Sequence, residues 1–258
     1  MSTFKTRLIT SIGIAIFYIG MYLLGSTVAT IATSLIILGI IYELDKCFKT
    51  KDIRPYSIFL MGIVIFRSIN SFLLFKYSYI HIDNILIIAM LIYFIFDDSQ
   101  NKLMNVCASA FIYVYILILG RTFYTYQVFN SDRFLLIIAI TTGADVFAYL
   151  GGSLLGKHKL MPKISPKKTI EGAVFGLLGG IGLGLLAGSL VLNLSVNFKS
   201  ILVLLFASIM AEFGDLFASS VKRALGVKDF SNLLPGHGGL LDRFDSILFV
   251  AFALELFL

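Results

Sequence analysis

Long apolar runs separated by short polar segments set the pattern of this chain. A helix rises ~1.5 Å per residue, so about 20 apolar residues cross the ~30 Å of a bilayer's hydrocarbon core. Runs near that length fall at 8–25, 27–42, 55–75, 82–96, 105–120, 134–155, 172–194, 200–218 and 240–258. They predict an all-α, polytopic integral membrane bundle of about nine transmembrane helices. The fourth and fifth runs are the least secure as spans, since about 15 residues reach only ~22 Å. The turn at Leu24-Gly25-Ser26 either separates two spans or bends one. Ser246 to Leu258 is too short to cross alone, so the last helix is expected to start near Leu240.

Composition strengthens the membrane reading. Of 258 residues, 58% are hydrophobic and 14% charged, with a mean hydropathy of +0.93; a water-soluble domain could not hide that much apolar surface. The net charge of +6 is what inner-loop Lys and Arg produce in any polytopic protein, and no nucleic acid is expected as a partner. With the N-terminus in the cytoplasm, 16 of the 21 Lys and Arg fall inside, Lys76, Arg121, Arg133 and Lys199 outside, and Arg67 within the third run. Lys5 and Arg7 precede the first run without a convincing cleavage site, so that run reads as an uncleaved helix. Cys47 and Cys107 lack metal-ligand spacing and read as packing residues. Residues 1–130 are serial apolar helices, expected to serve as scaffold or dimer surface. Residues 131–258 carry the polar groups and are expected to be the catalytic part.

Gly172, Gly176 and Gly180 recur every four residues, a spacing that lets helices approach closely. Three polar constellations surround that segment. Asp145 lies midway along the sixth run, where an acid is functional or held in a structural pair. The loop from Gly156 to Gly172 holds five lysines and one acid. In it, Ser165 or Thr169 can cap a helix beginning near Glu171, and a helix N-terminus beside Lys167 and Lys168 favours anions; the alternative is an ordinary positively charged inner loop with a cap. The third and most specific constellation runs from Glu212 to Asp245. If the eighth helix continues past Asp215, then Asp215, Ser219 and Lys222 or Arg223 share one face. Leu234 to Gly239 cannot be regular helix, and the Gly238-Gly239 backbone can cradle phosphate. Asp242 and Asp245 then share a face at the inner end of the last helix, where carboxylates either hold a hard cation or simply complement the helix dipole.

The third block reads Ser219-x-Val221-Lys222-Arg223, Lys228-Asp229-x-Ser231 and Leu234-Pro235-x-His237-Gly238-Gly239-Leu240-x-Asp242-Arg243-Phe244-Asp245. It resembles the signature of the phosphatidate cytidylyltransferases, or CDP-diacylglycerol synthases. Asp145-x-x-Ala148-Tyr149-x-x-Gly152 and Ile164-Ser165-Pro166-Lys167-Lys168-Thr169-x-Glu171-Gly172 are also similar to that family, so the likeness covers about residues 141–245. Residues 1–130 resemble it only as serial apolar helices.

The resemblance implies that CTP and phosphatidic acid in the bilayer give CDP-diacylglycerol and pyrophosphate, with Mg2+ required and a second cation possible in principle. A lipid phosphate is already an anionic nucleophile, so catalysis would consist of positioning and charge stabilisation. On that reading Asp215 and Asp242 are the leading metal ligands, with Asp145 and Asp245 as ligands or supporting groups. Ser165, Lys167, Lys168, Thr169, Ser219, Lys222, Arg223, Lys228, Gly238, Gly239 and Arg243 would contact substrate. His237 would donate to a phosphate or orient a carboxylate. The expected setting is the cell membrane, with the active site facing the cytoplasm and the chain a homodimer. Two other readings use the same residues: a CTP-dependent enzyme with another lipid acceptor, such as a polyprenol or an archaeal ether lipid, and an ion-coupled transporter.

Overall fold

The computed structural model describes residues 13, 20, 23–72, 79–129, 131–236 and 238–257. The first apolar run, 8–25, falls almost wholly outside them. The described chain is predominantly helical and forms two compact units. One comprises Met1–Tyr124 and Asp229–Leu241, the other Thr125–Lys228 and Asp242–Leu258.

In the first unit, α1 (Ser26–Lys49), α2 (Ser57–Phe72) and α3 (Tyr79–Phe96) are followed by α4 (Lys102–Ile112). A π-helical stretch, Tyr113–Ile118, joins α4 to α5 (Leu119–Phe129). Gly25, at φ +84°, separates α1 from what precedes it. Short polar contacts tie the helix ends together: Ser57 Oγ donates to Asp45 Oδ1 at 2.7 Å, and Tyr56 OH donates to Asp97 Oδ2 at 2.6 Å. Asp97 is thereby held well below the usual carboxylate range, to about 2, by the Tyr56 hydroxyl and then the Ser99 amide. Arg67, on α2, pairs with Asp83 on α3 and donates to the Leu117 carbonyl of the π turn at 3.1 Å. That cluster satisfies a cation within an apolar helix.

In the second unit, α6 (Ser131–Leu155) leads through a hairpin to α7 (Ile170–Val191), then α8 (Phe198–Leu225) and α9 (Leu241–Glu255). Segment 156–169 departs from the expected loop: β1 (Lys159–Met161) pairs antiparallel with β2 (Ser165–Thr169), so the fold is not purely α. Two strands this short carry no readable alternation of apolar and polar positions, which is why hydropathy missed them. The glycine spacing acts as expected. A Cβ at Gly172 would lie 2.9 Å from the Ala148 carbonyl oxygen, and one at Gly143 would lie 2.5 Å from that of Gly179, so α6 and α7 meet backbone to backbone. On the same face, a Cβ at Gly176 would fall 2.7 Å from Glu212 Oε1 of α8 and 3.0 Å from the Ala144 carbonyl oxygen of α6. Asn197 and Ser200 form a capping box at the start of α8, and Gly226, at φ +73°, ends it. Helices α8 and α9 cross at Gly214, where a Cβ would stand 2.7 Å from the Asp245 carbonyl oxygen.

Among the described residues, five helical stretches are long and apolar enough to cross a membrane: Ser26–Lys49, Lys102–Tyr126, Asp132–Leu155, Ile170–Val191 and Phe198–Leu225. The fifth run, read as one of the least secure, belongs to a 25-residue stretch. Polar residues such as Asn105 and Thr122 extend the helix without contributing hydropathy. The last helix begins at Leu241, one residue from the expected start.

Removing one member of a buried ion pair strands the other, at about 3–5 kcal/mol, whereas replacing both with apolar residues is often neutral. Arg67→Met should therefore destabilise the protein by about that amount, and Arg67→Met/Asp83→Leu should recover most of the loss. Unfolding of the two variants in detergent micelles, compared with the parent chain, checks this.

Candidate active site

The site grows from the hairpin and three helices of the second unit. Thr169 ends β2 and caps α7, its Oγ1 accepting from the Gly172 amide at 3.1 Å, as the sequence anticipated. This cap fixes where the hairpin hands over to the helix, and so fixes the two preceding lysines. Lys168 is directed inward: its Nζ lies 2.6 Å from Glu212 Oε2 and 2.9 Å from Asp215 Oδ2, both on α8. Burial lowers the Lys168 ammonium's pKa, but the Asp215 and Glu212 carboxylates raise it more, leaving it above its ordinary value.

A cavity of about 320 Å³ opens around this pair. Its walls include Asp145 and Tyr149 from α6, Lys167, Lys168 and Thr169 from the hairpin, Gly172 from α7, and Glu212 and Asp215 from α8. Glycines at 152 and 172 let the α6 and α7 backbones and the Thr169 cap close together at this wall, where a Cβ at Gly172 would lie 2.9 Å from Thr169 Oγ1. Three acids and two lysines therefore face one volume, with an acidic surplus of one. Asp145 is accessible through this opening despite its place on a membrane-length helix.

A second polar cluster sits where α8 and α9 cross. Lys222 Nζ donates to Asp242 Oδ1 at 2.6 Å, with both side chains nearly buried. Asp245, also buried, accepts from the Ser246 amide at 2.7 Å and lies within the electrostatic reach of Asp215, Lys222 and Asp145. Ser219 is buried on the same face of α8 and donates to Asp215 Oδ1 at 3.4 Å. Helix α8 does continue past Asp215, so the expected ridge of carboxylate, hydroxyl and cation forms.

The remaining expected residues are placed differently. Arg223 ties the end of α8 to the hairpin turn, its Nε donating to the Ile164 carbonyl at 3.3 Å and its guanidinium to Val227 O at 3.4 Å. Arg243 is exposed at the start of α9, within electrostatic reach of Asp145. Ser165 opens β2, half-buried, and Lys228 is exposed beyond α8. Gly238 and Gly239 belong to the first unit, and His237 lies outside the described residues. Glu212 was not singled out from the sequence. Its signal was available: an acid inside an apolar run, three residues before Asp215 and therefore on a neighbouring helical face.

Oxygen donors suited to a hard cation are present in Asp145, Glu212 and Asp215 on the cavity wall and in Asp242 and Asp245 at the helix crossing. Among the described residues no three such groups converge tightly enough to hold an ion by themselves. Magnesium rarely asks for that, since it is usually held by one or two carboxylates together with waters and substrate phosphates.

A profile of the cytidylyltransferase family matches residues 5–258. The chain is 33% identical to the phosphatidate cytidylyltransferase of Thermotoga maritima, over 97% of this chain and 94% of the relative. It is 32% identical to that of Bacillus subtilis, over 97% and 96%. A 117-residue stretch is 42% identical to the uncharacterized protein YnbB of Escherichia coli, over 45% of this chain and 39% of the relative. A match over nearly the whole length, to helices and polar clusters alike, establishes that this chain belongs to the cytidylyltransferase family.

Proposed function

We propose that the chain transfers the cytidylyl group of CTP to phosphatidic acid, giving CDP-diacylglycerol and pyrophosphate. The observation that carries this reading is the cavity where Lys168 is shared between Glu212 and Asp215, opening from a helix N-terminus flanked by Lys167. The full-length relatives carry the name of that activity.

In the proposed step an oxygen of the lipid phosphate attacks the α-phosphorus of CTP. A new P–O bond forms as the bond from the α-phosphorus to the bridging oxygen breaks, and the electron pair leaves with pyrophosphate. The nucleophile arrives deprotonated, so no general base is required. Lys167 and Lys168 would receive phosphate oxygens at the mouth and wall of the cavity, and the nearby start of α7 favours negative charge. Lys222, held by Asp242, would present a second cation from α8.

The donor chemistry fits magnesium. A triphosphate cannot enter a cavity with an acidic surplus unless further positive charge accompanies it, and the carboxylates supply the hard oxygens such a cation takes. Asp215 and Asp145 on the cavity wall, with Asp242 and Asp245, would hold it. When bound it would neutralise charge developing on the leaving pyrophosphate. The protein's own carboxylates orient and hold; its lysines bind and screen.

We extend the reading to setting and organisation. The chain lies in the cytoplasmic membrane with about nine spans and its N-terminus inside, which puts the Lys-rich hairpin on the side where CTP is found. Residues 1–130 act as scaffold and dimer surface, and 131–258 carry the chemistry, in a homodimer.

Purified protein incubated with labelled CTP, phosphatidic acid and magnesium should yield a labelled lipid that co-migrates with CDP-diacylglycerol. A water-soluble product only, or equal transfer to polyprenol phosphate, would count against the acceptor. Asp215→Asn and Asp242→Asn should each lower kcat by about a hundredfold or more while the protein remains inserted in the membrane; full magnesium-dependent turnover in either variant removes that residue from the metal site. Lys167→Ala should raise the KM for at least one substrate.

The pH dependence has a definite sign. Because the Lys168 pKa is raised above 10.5, its charge and the stability it confers are complete below that value and fade only as pH rises through the higher folded value. Rate and stability profiles of the parent chain should therefore show no alkaline limb from Lys168 below about pH 10.

A further inference from the structure

Glu43 lies on α1, far in sequence from the polar clusters of the candidate site, yet it is only 3% exposed. Its Oε1 accepts from the Leu240 amide at 2.8 Å and from Ser231 Oγ at 2.5 Å, and its Oε2 accepts from the Leu241 amide at 3.0 Å. Leu241 is the first residue of α9 and, unlike the rest of that helix, belongs to the first unit. A buried carboxylate from a different helix therefore caps this one, filling the position at a helix start where exposed N–H groups and the dipole favour an anion. All of these contacts lie within the first unit.

The same contact explains a glycine. A Cβ at position 239 would stand 2.8 Å from both carboxylate oxygens of Glu43, so any larger residue would push the carboxylate off the cap. Gly238, at φ +81°, and the bridge between Leu234 and Gly238 shape the turn that delivers the chain to that point. The glycine pair, expected from sequence to cradle phosphate, has at Gly239 an intramolecular carboxylate against it.

We propose that Glu43 is a positioning residue for the reaction: by clamping the first amides of α9 it sets the register of the helix that carries Asp242 and Asp245. The inference rests on the proposed cytidylyl transfer. A neutral side chain cannot reproduce the clamp, because glutamine has one carbonyl oxygen where the carboxylate has two acceptors, and alanine has none. A substrate-contact role for Gly239 would show itself in KM, whereas displacement of the Glu43 clamp would show itself in kcat.

The test uses the full-length protein in detergent with CTP, phosphatidic acid and magnesium, together with hydrogen exchange of peptides covering 238–245. Glu43→Ala should speed exchange in those peptides about tenfold or more and lower kcat about tenfold or more, with the KM for CTP within about threefold of the parent. Glu43→Gln should fall between the two. Gly239→Ala, which leaves α1 intact, should reproduce the kcat loss and the faster exchange, and it decides the matter if Glu43→Ala does not fold. Unchanged exchange, an undiminished kcat in a variant whose exchange has risen, or a Gly239→Ala defect confined to KM would overturn the proposal. If the parent chain itself forms no liponucleotide, the proposed function fails, while the exchange measurement still reports whether Glu43 holds the helix start.

Discussion

Lys168 sharing its ammonium between Glu212 and Asp215 is the contact on which the site depends. Two carboxylates one helical turn apart on α8 repel each other, and at ~4 Å unit charges interact by ~4 kcal/mol even at an effective dielectric constant of 20. A cation between them offsets that repulsion. The cation is supplied by the chain segment that also caps α7. One ammonium therefore ties the hairpin to two acids of α8 and leaves the third, Asp145, facing the same space without an equally close cation.

That arrangement is possible only because α7 has almost no side chains on its buried faces. Glycines at 172, 176 and 180 bring the backbones of α6 and α7 together and, along the same stripe, let Glu212 of α8 lie against Gly176. Alanine at 176 would put a methyl group into the Glu212 carboxylate, and the Lys168 contact would have to move with it. Packing and electrostatics are thus one constraint here. The glycine spacing looks like generic membrane-helix packing, yet its consequence is the placement of a charged pair.

Much of this was legible in the sequence because it is carried by strong, local signals. Apolar runs mark helices, and the four-residue glycine repeat marks close packing. Ser165 or Thr169 before Glu171 marks a cap, which the structure assigns to Thr169. The ridge from Asp215 through Ser219 to Lys222 followed from helical periodicity once α8 was carried past Asp215. What hydropathy could not give was anything that depends on a partner distant in the chain. The hairpin is too short to alternate, and the choice of Lys168 over Lys167 for the inward position is made by strand register. Glu212 gained its role only when Gly176 and Lys168 were found beside it. Glu43 shows no local peculiarity at all, since a single acid near the polar end of an apolar helix reads as a solvated terminus until the amides of residues 240 and 241 are seen against it.

Charge pairing also separates two kinds of polar residue in the second unit. Lys222 with Asp242, and Lys168 with Glu212 and Asp215, are already compensated within the protein; in the proposed reaction each would exchange one partner for another as a polyanion and its cation bind. Such exchange keeps the low-dielectric interior near neutrality throughout, which matters because an uncompensated buried charge is far more unfavourable than a re-paired one. Arg223 is different: it is engaged by backbone carbonyls of the hairpin turn and the α8 terminus, and moving it would release the contact that holds the hairpin against α8. Lys222 and Arg223 therefore differ in partner, one donating to the Asp242 carboxylate and the other to the backbone carbonyls of Ile164 and Val227. Their adjacency follows from helical geometry, which sends consecutive residues about 100° apart: one toward the acids of α9, the other toward the hairpin.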